Sequence, residues 1–100
     1  MSVQEITAKQ LQQKLAAGEK LNIIDVREAD ETAAGMIPGA KHIPLGQIPD
    51  RLRELNKNEL YYIICRSGGR SGKACQFLNA HGYKAVNIAG GMLEWEGDTE

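Results

Sequence analysis

Seven consecutive residues, Cys65-Arg66-Ser67-Gly68-Gly69-Arg70-Ser71, place a thiol, two guanidiniums, two hydroxyls and two glycines in one short loop. The loop follows an apolar run and opens an amphipathic stretch, so it reads as the turn from a buried strand into a helix. In open α/β sheets, ligands bind beyond the carboxyl ends of the strands. The free N–H groups of a helix N-terminus, together with the helix dipole, favour an anion there. Gly68 and Gly69 would let successive amides curl inward as an anion-binding nest. A cysteine at the mouth of such a loop is expected to be acidic. An ordinary thiol titrates near ~8.5, and helix N-termini or neighbouring cations bring that down to about 3.5–7.5. Cys65 is therefore the candidate nucleophile, a thiolate at the base of a positively polarised cradle. Arg66, Ser67, Gly68, Gly69, Arg70 and Ser71 are the candidate substrate-binding residues. An inert buried cysteine beside a tight turn would account for the thiol alone, and not for its companions.

The elements that must hold this loop are short apolar runs alternating with amphipathic stretches, the pattern of an α/β domain with a mainly parallel sheet. The expected strands are Val3–Ile6, Leu21–Val26, Lys41–Ile43, Leu60–Cys65 and Lys84–Ala89. Leu21–Val26 and Leu60–Cys65 are nearly continuous apolar runs, as central strands covered on both faces require. Thr7 with Gln10 spells a capping box for a first helix, Ile6 and Leu11 its hydrophobic staple, and Gly18 its end. Glu28, Asp30 and Glu31 favour the start of a short second helix closed by Gly35. Leu45, Ile48, Leu52 and Leu55 predict a third helix with Pro49 near its start. Ser71 to His81, closed by Gly82, predicts a fourth, with Ala74, Phe77 and Leu78 inward. Gly90-Gly91 turns into a last short helix holding Met92, Leu93 and Trp95.

One hundred residues make one domain, 1–100, able to bury roughly 65% of its unfolded surface without staples. No apolar run approaches the ~20 residues of a membrane span. The start of the chain has neither a basic region nor an apolar signal core. Two cysteines make no disulfide framework, so a cytoplasmic protein with reduced thiols is expected. The net charge is −1, unevenly spread: Leu60 to Leu93 carries Arg66, Arg70, Lys73 and Lys84 and no acid. Such a field draws in a small anion. The cluster is too compact, and too poor in interleaved aromatics, for nucleic acid. There is no C-x-x-C pair, and His42 and His81 stand apart from both cysteines, so no metal site is expected. Gly72-Lys73 does not make a P-loop, because Ser67 stands at the first glycine position and Ala74 at the Ser/Thr position.

Taken together, these motifs resemble the rhodanese family. Cys65 to Ser71 is similar to that family's active-site loop, C-R-S-G-x-R-S. Asp25-Val26-Arg27-Glu28 is similar to its D-V-R-E. Gly35 to Leu45 is similar to G-H-I-P-G-A-x-H-I-P-L, and Gly90-Gly91-Met92 with Trp95 to its terminal segment. Met36 stands where a histidine is usual, and Thr32 where an aromatic residue is common. The resemblance implies a five-stranded parallel sheet with helices on both faces. It also implies sulfur transfer through a Cys65 persulfide, from a donor such as thiosulfate to cyanide, a small thiol or a protein thiol such as a thioredoxin's. No metal or organic cofactor is implied. Asp25 and Arg27 are expected to support the site by pairing with each other or with backbone. Cys75 reads as a small buried hydrophobe, with a resolving thiol as the sharper alternative. His81 is expected to serve a helix C-terminus and Trp95 to cover core or loop.

Other readings compete. Cysteine phosphatases and arsenate reductases also cradle an oxyanion above a thiolate, but tyrosine-phosphatase loops read C-x5-R. Here Cys65 to Arg70 is C-x4-R, with Ile64 before the cysteine where histidine is usual. A binding module built on the same fold is the other alternative; such modules typically lack the cysteine.

Overall fold

A computed structural model describes residues 3–100. The elements run β1 (Glu5–Thr7), α1 (Ala8–Ala16), β2 (Asn22–Asp25), α2 (Ala29–Thr32), β3 (Lys41–His42), β4 (Leu60–Ile64), α3 (Gly69–Ala80) and β5 (Lys84–Ala89). Three 3-10 segments complete them: Leu45–Gln47, Pro49–Glu54 and Gly91–Glu94. The five strands form one sheet in the order β1-β5-β4-β2-β3, and every pairing is parallel. The fold is thus the α/β sheet expected, with the central strands β4 and β5 buried between layers.

Alternation along the strands divides the core. Ile24, Tyr61, Ile63, Cys65 and Ala85 face α3 and the 3-10 segments after β3, together with Ala74, Cys75, Leu78 and Ile48. Ile23, Tyr62, Ile64, Val86 and Ile88 face the other way, onto Ala8 and Leu11 of α1, with Met92 and Trp95 packed at the margin. Thr7 and Gln10 form the capping box at the start of α1, each side chain meeting the other's amide. The Thr7 cap doubles as the last residue of β1, so strand and helix join without a loop.

Strand ends shift by one or two residues from the pattern-based reading, with β1 at Glu5–Thr7 in place of Val3–Ile6, and two elements differ more. The leucine stripe from Leu45 to Leu55 forms two 3-10 segments and not an α-helix. Pro49 has no N–H to return to Leu45, so the Leu45 carbonyl accepts from Ile48 N–H instead, and Arg51 departs from helical angles. α3 begins at Gly69, two residues before the expected Ser71, because Gly68 caps it in the left-handed region. Gly69 and Arg70 therefore belong to the first turn of the helix rather than to the loop. At the other end His81 is the C-cap; its Nδ1 hydrogen-bonds the Phe77 carbonyl and its ring stacks on Phe77. Among the described residues, no helix is long and apolar enough to cross a membrane.

Candidate active site

The carboxyl ends of β2, β4 and β5 converge on Cys65, the first residue after β4. Its Sγ is the acceptor for Gly68 N–H at 3.1 Å and lies 3.2 Å from Ser71 Oγ. Burial pushes the Cys65 thiol up, but hydrogen bonds from the Ser71 hydroxyl and from the Ser71, Gly68 and Ser67 amides outweigh it. The net displacement is below an ordinary thiol. At neutral pH the sulfur is accordingly more ionised than a free cysteine would be.

Two features of the backbone aim those amides. Gly68 adopts φ +110°, a conformation that L side chains rarely tolerate, and this swings the chain into α3 directly after the amide that meets the sulfur. The 3-10 segment after β5 supplies the second. Its Met92 N–H donates to the Cys65 carbonyl at 2.9 Å, and its Leu93 N–H to the Arg66 carbonyl at 3.0 Å. In a trans peptide the carbonyl and the following N–H point opposite ways. Holding these two carbonyls outward therefore turns the Arg66 and Ser67 amides inward. Gly91 makes the close approach possible: a Cβ there would stand 2.5 Å from the Cys65 oxygen and 2.6 Å from that of Arg66.

The arginines divide. Arg66 is exposed, beside a shallow depression formed with Arg27, Glu31, Met92 and Leu93. Arg70 does not sit free in the cradle: its guanidinium forms a two-pronged pair with Glu31 of α2 at 2.6 and 2.7 Å. The Arg70 hydrogen bond, helped by the Glu28 backbone, holds the Glu31 carboxyl at about 2. The pair raises Arg70 in turn, and the nearby Cys65 charge adds to this. Arg70 is thus a strap from the reactive loop to α2, and its contribution to the local field is largely offset by Glu31. Asp25 and Arg27 make a second, buried strap. Arg27 Nε and Nη2 bind the Asp25 carboxylate, while Nη2 also donates to the Gly35 carbonyl at 2.7 Å and Nη1 to that of Glu31. Every Asp25 carboxylate oxygen is engaged, as burial of a charge requires.

The Glu31 pair makes one prediction. A carboxyl held low stabilises the fold above its ordinary value of 4.5, and loses that contribution as pH falls toward about 2. Glu31→Gln is expected to lower Tm at neutral pH by roughly 2–6 °C, the range of a partly exposed pair in a domain of this size. Melting curves of wild type and variant should converge between pH 4.5 and pH 2. A constant gap down to the acid end would remove the strap from the account.

Sequence patterns do not point to Asn87, Glu5 or Glu31 as members of the site. Asn87 lies 2% exposed in β5, with Nδ2 2.7 Å from Glu5 Oε2 and 3.1 Å from the Gly68 carbonyl, and Oδ1 against Ser71 Oγ. The one signal for it is a lone amide inside the apolar run Lys84–Ala89. Cys75 is fully buried on α3, and burial with the charges of Glu5 and Cys65 pushes its thiol up to about 12.

The chain that carries this site is matched by relatives over nearly its whole length. The family profile of the rhodanese-like domain covers residues 7–98. The chain belongs to the rhodanese-like domain family. YtwF of Bacillus subtilis, which carries a provisional sulfurtransferase name, is 48% identical over 100 residues, spanning 100% of this chain and 97% of its own. A sulfurtransferase of Allochromatium vinosum is 42% identical over 94 residues, covering 93% of this chain and 88% of the relative. A crystal structure of a rhodanese-like domain protein from Staphylococcus aureus superposes with TM-score 0.92 at 48% identity, covering 98% of this chain and 97% of that one. The rhodanese-like domain thus has named sulfurtransferases among its relatives.

Proposed function

We infer that this rhodanese-like domain moves a sulfane sulfur from a small anionic donor such as thiosulfate to a thiophilic acceptor, through a persulfide on Cys65. What carries the reading is the convergence on Cys65 Sγ of the Gly68 amide, the Ser71 hydroxyl and the Ser67 amide. The thiolate attacks the outer sulfur of thiosulfate; a Cys65–S bond forms, the donor S–S bond breaks, and sulfite leaves with the bonding electrons. The product is Cys65–S–S⁻. Cyanide, a small thiol or a protein thiol then attacks the terminal sulfur, and the Cys65 thiolate returns with the electron pair of the broken S–S bond. Negative charge develops on sulfur in both steps, where fixed donors need little reorganisation. The hydrogen bonds that lower the Cys65 thiol favour its ionised form, which attacks without a general base, and no metal or organic cofactor enters the scheme. The scheme suits a reducing cytoplasm, which keeps both thiols free.

The test is thiocyanate formation from thiosulfate and cyanide, with intact-mass detection of a one-sulfur adduct. Turnover with an adduct supports the scheme. Absence of both, together with hydrolysis of an aryl phosphate or reduction of arsenate, would replace it with phosphatase-like chemistry.

The open surround of the loop points to large acceptors. Arg66 is exposed, and Leu93 beside it is 64% exposed, an uncommon outward placement for a leucine. For a protein-thiol acceptor, Arg66→Ala is expected to slow the transfer half-reaction about tenfold, with Cys65 loading by thiosulfate nearly unchanged. Stopped-flow or quenched mass measurement of the two half-reactions separates these. Equal loss in both would count against a division of labour at Arg66.

A further inference from the structure

The geometry points to Asn87 as a positioning residue that competes with the Cys65 sulfur for the hydroxyl proton of Ser71. This rests on the reading of Cys65 as the sulfur-carrying thiolate.

The orientation of the Asn87 amide follows from its neighbours. Glu5 Oε2 and the Gly68 carbonyl can only accept, so both hydrogens of Nδ2 are used on that side and Oδ1 faces Ser71 Oγ. Ser71 then stands between two acceptors, Asn87 Oδ1 and Cys65 Sγ, with a single hydroxyl hydrogen. All three residues are almost completely enclosed, at 0% for Ser71, 1% for Cys65 and 2% for Asn87.

The hydrogens can be counted in each state. While Cys65 is a thiol, S–H donates to Ser71 Oγ and Ser71 O–H donates to Asn87, so both contacts are made. Ionisation sends the S–H proton to solvent and leaves one hydrogen for two contacts. Ser71 must then turn to the sulfur and leave Oδ1 of Asn87 without its donor, or stay with Asn87 and leave the thiolate one donor short. When Cys65 carries the extra sulfur its charge lies on the outer atom, and Ser71 can return to Asn87. Asn87 therefore limits how strongly the thiolate is stabilised. A thiolate held less tightly is the better nucleophile, since nucleophilicity falls as thiol acidity rises. Charged and titratable groups near these three residues are Glu5 on β1, Arg70 and Cys75 on α3, and Arg66 on the loop; Asp25 and Arg27 at the end of β2 satisfy each other.

The experiment is a pH titration of the Cys65 alkylation rate by iodoacetamide, read on the Cys65 peptide by mass spectrometry. It needs no sulfur transfer, so it can fail independently of the proposed function. Asn87→Leu keeps the side-chain shape and removes the acceptor, while the Gly68 carbonyl keeps its bond from Gly72 N–H. The Cys65 pKa is expected to fall by roughly half to one pH unit, the scale of one released hydrogen bond. In a Ser71→Ala background the pKa should lie above wild type, and Asn87→Leu should no longer move it. Asn87→Ala, which also lacks the acceptor, takes the place of Asn87→Leu if the larger residue prevents folding. A rise or no change in the single variant, or the same fall with and without the Ser71 hydroxyl, would overturn the assignment.

Discussion

Cys65→Ser should abolish both thiocyanate formation and the one-sulfur adduct, with a loss of at least about a thousandfold in turnover. That is the order expected when the nucleophile of a covalent mechanism is removed. Serine keeps the shape with a smaller atom that still accepts from Gly68 N–H and the Ser71 hydroxyl, so the fold should be retained. Its hydroxyl does not ionise near neutral pH, whatever the loop amides contribute. Cys75 provides the internal control. It is fully buried and its thiol is pushed up to about 12, so it is uncharged at neutral pH. Cys75→Ser should keep the adduct and most of the turnover. Sulfur loading that survives Cys65→Ser, or vanishes only with Cys75→Ser, would sink the Cys65 persulfide.

The second large effect is expected far along the chain from the thiol. Gly91→Ala places a Cβ 2.5 Å from the Cys65 carbonyl oxygen, at a residue whose φ is +55°. The obstructing atoms are backbone, so no rotamer change relieves the overlap; the loop or the 3-10 segment must move. Either movement breaks the Met92 and Leu93 bonds that hold the loop carbonyls outward. Strain and overlap together should cost about 2–4 kcal/mol. Turnover should fall by roughly a hundredfold, because donors displaced by even ~1 Å lose their transition-state interactions. Gly69→Ala is the contrast within the motif itself. Gly69 has no positive φ, and a Cβ there would meet nothing within 4 Å, so alanine should leave Tm and activity near wild type. Denaturation midpoints and thiocyanate rates for the two variants decide the matter; comparable damage from both would discredit the carbonyl-clamp account.

How much of the fold is legible in the sequence depends on the range of the interactions involved. The capping box at Thr7 and Gln10, the apolar runs of β2 and β4, and the strand–loop–helix around Cys65 are local patterns and can be read directly. The stripe Leu45–Leu55 misleads because its spacing suits a helix, while Pro49 and Gly46 weaken the ladder that an α-helix needs. The Gly68-Gly69 pair reads as one flexible unit, but only Gly68 requires its freedom. Arg70 reads as a free cation because its partner, Glu31, lies 39 residues away, and no periodicity connects them. Asn87 is hidden for the same reason: it meets Ser71 and Glu5 only once β5 lies between β1 and β4. The identity of the reactive thiol is written locally; the groups that tune it are not.

The clamp of Met92 and Leu93 on the Cys65 and Arg66 carbonyls also ties the character of the thiol to a segment well beyond it in the chain. If that segment comes away from the loop, the bonds that hold the two carbonyls outward are lost while the Gly68 and Ser71 contacts to the sulfur can remain. Local opening near the end of the chain is therefore expected to bring Cys65 closer to an ordinary thiol before the sheet itself unfolds.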